Sequence, residues 1–479
     1  MQRITPDCRR PLFDVAATRA IERFCAAGLP PHTLMQRAGL AVARLALAVA
    51  PHARTVWIAC GPGNNGGDGL ESAMHLQRAG KTVHVSWLGD ERTSPADSLA
   101  SLERARASGV VVASQPPPQW DLAIDALLGI GASRAPSGEM AAWIAQMNAS
   151  PARLLAVDVP SGLDADTGAS PQVLAQDTLS LLTLKPGLFT GHGRDACGTV
   201  WYDSLGVLPD STGTDPSAWL SAAAVLPERL HASHKGSYGD VAVIGGAPGM
   251  AGAALLAGSA ALHGGAGRVF VALLDPITMT VDASQPEMML RDWRQLDLGA
   301  MSVACGCGGG SAVRDVLPEV LSKARSLVLD ADALNAISND PQLQASLLAR
   351  SCASGFATVI TPHPLEAARL LGRSSADVQA DRVAASQELA RRFGCVAVLK
   401  GSGSVTSAPA QLPVINFSGN ARLASAGTGD VLAGMIAARL AGGAPAFDAA
   451  IDAVHAHGAR ADRWPAGAAL TASALARGD

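Results

Sequence analysis

The 479-residue sequence has little net charge, no disulfide-like cysteine pattern and no basic run. Lysine and arginine number 37 and aspartate and glutamate 41, which gives a net charge of -4. Without a polybasic segment, neither nucleic acid nor an anionic membrane is expected as a partner. The eight cysteines show no Cys-x-x-Cys spacing. This usage indicates reduced thiols in the cytoplasm rather than a disulfide framework.

Membrane segments are missing as well. Hydrophobic residues make up 48% of the chain, yet no uninterrupted apolar run approaches the ~18 residues that span a bilayer. Residues 1–14 contain arginines with no apolar segment behind them, so we expect no signal peptide. Cys305 and Cys307 have no further metal ligands near them in the sequence, and we expect no metal site there.

Helical and strand patterns alternate along most of the chain. Apolar spacing of three to four residues predicts helices over residues 15–28 and 33–50. Short apolar runs predict strands at residues 55–60, 82–88, 122–129 and 153–160. This alternation favours a parallel sheet covered by helices on both faces. We therefore expect a Rossmann-like three-layer αβα domain over residues 1–212.

A polar stretch rich in Pro, Ser, Thr and Asp divides the chain. It runs from about Pro209 to Glu228 and predicts a linker. Strand-like runs resume beyond it with helical stretches between them, so residues 222–479 are expected to form a second α/β unit. The halves do not repeat each other's motifs, which indicates a fusion of two units rather than a duplication.

Three polar clusters of the first half lie at or near the carboxyl ends of predicted strands: Asn64–Asp68, Asp125, and Asp158–Asp164. Ligands of open parallel sheets bind at this edge. The first cluster completes a Gly-x-Gly-x-x-Gly fingerprint, formed by Gly61, Gly63 and Gly66, which is typical of a dinucleotide site. Asp68 would repel a pyrophosphate there, and the dipole of the predicted helix favours its ionised form.

Grouped with Asn65, Asp125 and Ser161, Asp68 instead suggests an oxygen-rich pocket suited to a hard cation. The glycines would then let the backbone approach a ligand closely. Simpler interpretations stay open, with Asp68 as a helix cap and Asp125 as the end of a strand. A plain dinucleotide fold would place Asp90 on the ribose.

Four segments of the first half resemble the NAD(P)H-hydrate epimerase family. They read LMQRAG, GPGNNGGDGL, DALLGIGASR and AVDVPSGLDADTG, between residues 34 and 168. Members interconvert the two C6 epimers of hydrated NADH and NADPH. The resemblance implies that Asn65, Asp125 and Ser161 bind a potassium ion. It implies contacts to the hydrate at Asn64, Asn65, Gly66, Gly67, Asp68, Gly129, Ile130, Gly131, Ala132, Ser133, Arg134, Ala135 and Asp158.

Epimerisation requires the C6–O bond, or a ring bond, to loosen and re-form, and a positioned carboxylate can carry the proton. We expect Asp158 to be this catalytic group, with Asp68 as the second choice. Relatives often carry an acid where this chain has Gln36, a departure from which we expect little effect on the site.

The strongest motif of the second half is SAGTGDVLAGM, residues 425–435. Gly427, Thr428 and Gly429 would present N–H groups at a helix N-terminus, an anion hole suited to a phosphoryl group in transfer. Asp430 follows at once, placed to take a proton from an attacking hydroxyl. A glycine turn with an aspartate cap is the simpler alternative. The pattern resembles the ribokinase-like kinases, which implies a ribokinase-like α/β fold for this half.

Three further polar stretches of the second half follow predicted strands. Lys400–Ser404 offers a cation, hydroxyls and backbone N–H groups to phosphates, or forms a surface hairpin. His363 lies between two prolines and is either a ligand or a structural histidine. Asp330, Asp332 and Asn335 bind Mg²⁺-nucleotide or substrate, or cap a helix.

Six segments between residues 234 and 434 resemble the ADP/ATP-dependent NAD(P)H-hydrate dehydratase family. They read HKGSYGDVAVIGG, GAALLAGSAALHGGAG, LDADALN, TPHPLEAARLL, VLKGSGS and AGTGDVLAG. The resemblance implies hydrate contacts at Ala253, Gly310, His363 and Asp430. It implies contacts to the adenine nucleotide at Lys400, Gly401, Ser402, Gly403, Ser404 and Gly429.

One loop departs from this family. Relatives usually read Gly-Pro-Gly-Leu-Gly where this chain has GCGGG, residues 306–310. Because glycine adds backbone freedom where proline removes it, we expect a looser loop and a weaker contact at Gly310. Relatives also tend to have glycine where this chain has Leu365.

The implied reaction is a dehydration driven by phosphoryl transfer. Asp430 would deprotonate the 6-hydroxyl as it attacks the terminal phosphoryl of ADP or ATP, with Mg²⁺ assisting, and phosphate would then leave. Two other functions stay open. A ribokinase-like small-molecule kinase with a fused regulatory Rossmann-like domain would release a stable phosphorylated product. A nucleotide-sensing binding protein would show no turnover. We expect a cytoplasmic homo-oligomer.

Overall fold

The computed structural model describes residues 1–131, 134–207, 212–224, 229–275 and 279–478. Contacts divide the chain into two compact units. The first consists of Met1–Thr5 and Pro11–Ala218, and the second of Pro6–Arg10 and Trp219–Asp479. Within the described ranges, no helix is both long and apolar enough to span a membrane.

The strands, numbered along the whole chain, are β1 (Gln2–Arg3), β2 (Arg10–Leu12), β3 (Thr55–Cys60), β4 (Thr82–Trp87), β5 (Val111–Ala113), β6 (Leu122–Ala126), β7 (Arg153–Val157), β8 (Asp177–Leu181), β9 (Thr199–Asp203), β10 (Ala218–Leu220), β11 (Asp240–Gly245), β12 (Arg268–Leu273), β13 (Met289–Leu290), β14 (Ser302–Cys305), β15 (Ser326–Leu329), β16 (Ala357–Ile360), β17 (Val396–Leu399), β18 (Val405–Ser407) and β19 (Val414–Ile415).

The α-helices are α1 (Val15–Ala27), α2 (Thr33–Val49), α3 (Asn64–Arg78), α4 (Ala96–Ala107), α5 (Gly138–Ala149), α6 (Gly193–Ala196), α7 (Ala251–His263), α8 (Val313–Lys323), α9 (Ala331–Ser338), α10 (Pro341–Ser351), α11 (Pro364–Leu371), α12 (Ser375–Ala380), α13 (Arg382–Phe393), α14 (Thr428–Ala441), α15 (Ala446–Arg463) and α16 (Ala472–Arg477).

The sheet of the first unit runs in the order β1-β9-β8-β7-β6-β3-β4-β5 among the described residues. Its strands pair in parallel except β1 with β9. Alternate residues of β3 pack into hydrophobic cores on opposite faces of the sheet. Val56 and Ile58 pack with helices α1–α4, and Trp57 packs with Trp143 of α5. The expected three-layer α/β arrangement is confirmed. The strand order reverses between β3 and β6, where such sheets bind ligands.

The second sheet runs β13-β12-β11-β14-β15-β16-β17-β18-β19-β10-β2 in the described part of the chain. One face packs against α7 and α14–α16, and the other against α8–α13. Here the order reverses between β11 and β14. Helices α7 and α14 lie backbone to backbone, since a Cβ at Gly434 would be 2.0 Å from the Ala257 carbonyl oxygen.

The predicted linker contains a strand, which is a correction. Residues Trp219 and Leu220 of β10 pair in parallel with Val414 and Ile415, and Leu220 is buried. The hydroxyl of Ser221 then donates to Asn416 Oδ1 at 3.0 Å. The polar composition around it hid this strand, because it is only three residues long, Ala218–Leu220.

Candidate functional site

A pocket of about 620 Å³ opens in the first unit, beyond the carboxyl ends of β3, β6 and β7. Of the residues predicted to hold the hydrate, it is lined by Asn64, Asn65, Asp68, Gly129, Ile130, Gly131 and Asp158. Gly66 and Gly67 are buried in α3 and do not line it. Arg134 and Ala135 also lie away from its lining. Ala132 and Ser133 lie outside the described residues.

The glycine fingerprint serves the packing of the loop itself. A Cβ at Gly61 would lie 1.8 Å from the Leu127 carbonyl oxygen, and one at Gly66 would lie 2.0 Å from the carbonyl oxygen of Gly61. Both positions therefore exclude any side chain. At Gly63 a Cβ would meet nothing within 4 Å. Two of the three glycines are thus required by contacts with the chain's own backbone. From the sequence, the need for glycine at these positions had been attributed to a ligand.

Asp68 differs from the expectation in position and in charge. Helix α3 begins at Asn64, so Asp68 lies beyond its first turn and gains little from the helix dipole. Burial, together with the negative charges of Asp158 and Glu22, raises the pKa of Asp68 well above its usual value. Its surroundings therefore favour the protonated form, contrary to the expectation from the helix dipole that Asp68 stays ionised.

Asp158 follows β7 and has a left-handed backbone, with φ of 66°. Its carboxylate contacts the ammonium of Lys185, which also lines the pocket. Leu181 N–H donates to the same carboxylate at 3.3 Å. Sequence reasoning missed Lys185, although a single lysine within the apolar run LLTLKPGLF is a signal of a buried ion pair.

Two of the three predicted potassium ligands, Asp125 and Ser161, are hydrogen-bonded to each other, and the third, Asn65, lines the pocket. Ser161 donates from its hydroxyl to Asp125 at 2.6 Å and from its backbone N–H to the other carboxylate oxygen at 2.8 Å. Burial raises the pKa of Asp125 to about 6. The side-chain oxygen and nitrogen of Asn65 are buried without a hydrogen-bond partner, beside Gly129. Amide, carboxylate and hydroxyl oxygens are ligands that suit a hard cation, and the unpartnered amide oxygen of Asn65 is an atom that such an ion could satisfy.

Asp90 takes no part in the pocket. Its carboxylate accepts from Arg92 N–H at 2.8 Å in an exposed turn. The alternative in which Asp90 binds a ribose therefore has no support from its placement.

In the second unit, Asp430 lies in the first turn of α14 behind Gly427, whose φ is 87°. Burial, and the negative charge of Asp330, raise the pKa of Asp430 to about 6. Cys307, Asp330 and Asp430 bring one ligand atom each within 4.8 Å of one another, an arrangement that could hold a metal ion. The expectation that Cys307 has no metal ligands near it is therefore wrong, because Asp330 and Asp430 arrive from distant strand ends.

Lys400 fills the space between these groups. Its ammonium lies 2.5 Å from Asp330, and a Cβ on Gly429 would be 3.2 Å from it. Burial acts to lower the pKa of Lys400, but the charges of Asp330 and Glu366 outweigh it and raise the pKa. Lys400 is thus a fixed cation beneath the first turn of α14.

The loop after Lys400 is stabilised by a hydrogen bond within the loop and by a side chain from helix α13. Gly401 N–H donates to the Ser404 hydroxyl at 3.3 Å. The buried guanidinium of Arg382, which sequence reasoning missed, donates to the Lys400 carbonyl at 3.1 Å. Gly401 and Ser402 are exposed, whereas Gly403 is buried.

The GCGGG loop is well anchored, which corrects the expectation of a loose one. Gly246 N–H donates to the Cys307 carbonyl at 3.0 Å, and Ala247 N–H to the Gly308 carbonyl at 2.7 Å. Gly310 N–H donates to Asp332 at 2.8 Å. Ala253 belongs to the same neighbourhood, since a Cβ on Gly308 would lie 2.8 Å from its methyl group.

His363 is an exposed residue that caps α11. Its Nδ1 accepts from Leu365 N–H at 3.1 Å, and its Nε2 lies 3.3 Å from Glu366. Burial of the ring, and the positive charge of Lys400, lower the pKa of His363. The side-chain oxygen of Asn335 accepts a hydrogen bond from Arg369 at 2.6 Å.

Comparison with known proteins places both halves of the chain. Two family models match it, "YjeF-related protein N-terminus" over residues 31–187 and "NAD(P)H-hydrate dehydratase" over residues 241–477. The chain is 38% identical to the bifunctional NAD(P)H-hydrate repair enzyme Nnr of Escherichia coli (strain K12), over 91% of this chain and 85% of that protein.

Two further relatives match the second half. The ADP-dependent (S)-NAD(P)H-hydrate dehydratase of Neisseria meningitidis serogroup B is 43% identical over 53% of this chain and 86% of its own length. An ADP/ATP-dependent NAD(P)H-hydrate dehydratase from Bacillus subtilis, co-crystallised with ATP and Mg²⁺, is 30% identical and covers 53% of this chain and 91% of that one, with a TM-score of 0.44. The family models and the E. coli relative confirm the resemblance of each half.

Proposed function

Since the chain belongs to the bifunctional NAD(P)H-hydrate repair enzymes, we propose that it epimerises hydrated NADH and NADPH and dehydrates the S epimer to NAD(P)H. The first unit carries the epimerase and the second the dehydratase. The observation that carries this proposal is the placement of Asp430, which lies with a raised pKa at the glycine-rich start of α14, beside Lys400. The kinase and sensor alternatives are set aside because relatives that match most of the chain are repair enzymes.

In the epimerase step, one carboxyl group gives a proton and a second accepts one. Asp68, whose pKa is raised well above its usual value, donates a proton to the C6 hydroxyl, and the C6–O bond breaks as water forms. The lone pair of the ring nitrogen forms the double bond to C6. Water then adds to the other face of C6, and Asp158, paired with Lys185, accepts its proton. The proton returns to Asp68 through the site, so the net change is the configuration at C6.

Potassium would be held by Asn65, Asp125 and Ser161. The ion would supply a fixed positive charge at the base of the pocket and satisfy the buried oxygen of Asn65. Because burial raises the pKa of Asp125 to about 6, the cation would also stabilise its ionised form.

The potassium assignment is tested by ion replacement and by stability. Exchange of K⁺ for Li⁺ is expected to slow epimerisation and to lower the melting temperature of the first unit. Asp125→Asn is expected to abolish the difference between the two ions. Equal rates and melting temperatures in both ions for the unmodified protein would remove potassium from the site.

The dehydratase step begins at Asp430. The ionised carboxylate takes the proton of the 6-hydroxyl, whose oxygen attacks the terminal phosphoryl of the nucleotide. The first-turn N–H groups of α14 and the ammonium of Lys400 stabilise the charge in transfer. Phosphate then leaves C6, assisted by the ring nitrogen, and loss of a proton from C5 completes the ring double bond. ADP is expected to yield AMP and phosphate.

Mg²⁺ would enter with the nucleotide phosphates. This ion takes one or two protein carboxylates and completes its shell with phosphates and water. Asp332 offers such a carboxylate near the reacting group, since its charge contributes to the raised pKa of Asp430. The cytoplasm is the proposed compartment, because all eight cysteines are free thiols.

One experiment tests both activities. The protein is mixed with both epimers of NADH hydrate and with ADP or ATP, and the absorbance of reduced nicotinamide is followed. Full conversion of both epimers to NADH is expected. Conversion of the S epimer alone would remove the epimerase assignment, and a stable phosphorylated hydrate would restore the kinase alternative.

A further inference from the structure

A fully buried lysine lies behind the carboxylate that we assign as the epimerase base. Lys185 is 0% exposed. Its ammonium contacts Asp158 and donates to the carbonyls of Leu181 at 2.7 Å and Thr183 at 3.1 Å, with the Ser180 hydroxyl at 3.3 Å. An ammonium carries three protons, so these four acceptors use its full donor capacity. Lys185 is therefore fixed in one position.

Asp158 is held with equal rigidity. Its left-handed backbone, with φ of 66°, is uncommon for a residue with a side chain. Such strain persists only where the surrounding structure maintains it, and it concentrates at functional sites. The ion pair with Lys185 and the N–H of Leu181 are the contacts that fix its carboxylate at the pocket wall.

Two further carboxyl groups lie close enough to the pair to interact with Asp158. Glu22 on α1 and Asp68 on α3 both line the pocket, and their charges couple to that of Asp158. Arg19 and Arg23 of α1 act on Glu22 from the exposed side. A buried positive charge next to Asp158 therefore offsets the repulsion that these carboxyl groups would impose on it.

We propose that Lys185 is the positioning residue of the epimerase, fixing the Asp158 carboxylate at the pocket wall, next to a buried positive charge, while the hydrate is bound. The proposal rests on the proposed function, since it requires that Asp158 take up a proton in the epimerisation. Lys185 has its donors occupied by protein oxygens, so it acts through Asp158 and not on the substrate.

The test compares Lys185→Met with Lys185→Arg and with a matched control, Lys81→Met. Lys81 also donates to backbone carbonyls, those of Pro51 and Ala53, but does not line the pocket. Conversion of pure R hydrate to S hydrate is measured by chromatography without nucleotide. Lys185→Met is expected to lose about 100-fold in rate at pH 7. Lys81→Met is expected to match the unmodified protein, and Lys185→Arg to retain more than about a tenth of the rate because it keeps the charge.

The pH profile separates positioning from a folding defect. Without the ammonium, the carboxylate holds its proton to higher pH. The epimerisation rate of Lys185→Met is therefore expected to rise between pH 7 and pH 9. In a further variant, Lys185→Ala, added ethylammonium is expected to restore part of the rate. A rate of Lys185→Met within twofold of the unmodified protein overturns the proposal, as does a loss that is equal at every pH without rescue. If Lys185→Met is insoluble, Lys185→Gln is judged by the same criteria.

The two proposals fail in different ways. If the unmodified protein does not convert R hydrate, the epimerase assignment fails and the role of Lys185 fails with it. If the unmodified protein converts it and the Lys185 variants keep its rate and pH profile, only the role of Lys185 is overturned. Dehydration of S hydrate with ADP is expected to stay unchanged in every variant, because it is assigned to the second unit.

Discussion

Replacing Asp330 by asparagine should move the acid limb of the pH–rate profile of the dehydratase reaction to lower pH. Burial is the first cause and the charge of Asp330 the second for the raised pKa of Asp430, which is about 6. Asp330→Asn removes this charge and also releases Lys400 from its 2.5 Å ion pair. Both changes favour the ionised form of Asp430, so its pKa falls.

The magnitude follows from the share of each cause. The pKa of Asp430 is raised from 3.8 to about 6, and burial accounts for the larger part. For the removal of one neighbouring charge we take a fall of about one unit, equivalent to about 1.4 kcal/mol. At pH 5, a pKa of about 6 leaves about a tenth of Asp430 ionised, and a pKa of about 5 leaves about half. Relative to its own plateau, kcat/KM at pH 5 should rise about fivefold.

The assay is kcat/KM for S hydrate from pH 4.5 to pH 8 at constant ADP, because this ratio reports the base before the hydrate binds. Each profile is normalised to its plateau, which removes any loss of maximal rate. Asp315→Asn, an exposed aspartate of α8, is the matched control and should leave the limb in place. If the acid limb of Asp330→Asn lies at the same pH as that of the unmodified protein, or at a higher pH, the electrostatic reasoning is refuted.

Three further results are expected. Asp430→Asn should lower dehydration by at least about 100-fold while R and S hydrates still interconvert; loss of both reactions in the same assay would contradict the division of labour. Asp158→Asn should slow clearance of R hydrate by a similar factor with the S hydrate rate intact; clearance at the normal rate would exclude Asp158 as the base. Gly434→Ala should destabilise the second unit by about 1–3 kcal/mol in urea unfolding, because its Cβ would lie 2.0 Å from the Ala257 carbonyl. Gly252→Ala, in α7 with nothing within 4 Å of its Cβ, should be neutral or stabilising by about 1 kcal/mol; equal effects of both would contradict the packing argument.

Strands and site clusters could be predicted from the sequence because they depend on local pattern. The apolar run of β3 and the polar residues after it place Asn65 at the carboxyl edge of a parallel sheet. Asp125 lies near the end of β6 and Asp158 follows the neighbouring strand β7, so their placement at the same sheet edge as Asn65 follows from topology. The same rule placed Asp330 and Lys400 at one edge of the second sheet.

Pairings between distant side chains could not be predicted in the same way. Lys185 reaches Asp158 only because the chain folds back after β8. Cys307 meets Asp430 from another strand end. The charge of Asp68 was predicted wrongly, since dipole arguments concern the first turn and take no account of burial or of neighbouring carboxyl groups. Proton affinity in these sites is set by such contacts, so it could be read only from the structure.

Strand β10 has a consequence for separating the two activities. A protease that cuts among residues 212–217 would release a second fragment that still carries Trp219 and Leu220 on Val414 and Ile415. A cut only a few residues later, at residues 222–224, would leave this strand on the other fragment. The backbone of Val414 and Ile415 would then form an unprotected sheet edge, which invites intermolecular pairing. Either cut also removes β2, the outer neighbour of β10, so the position of the cut decides which strand, β10 or β19, becomes the exposed edge of the separated dehydratase.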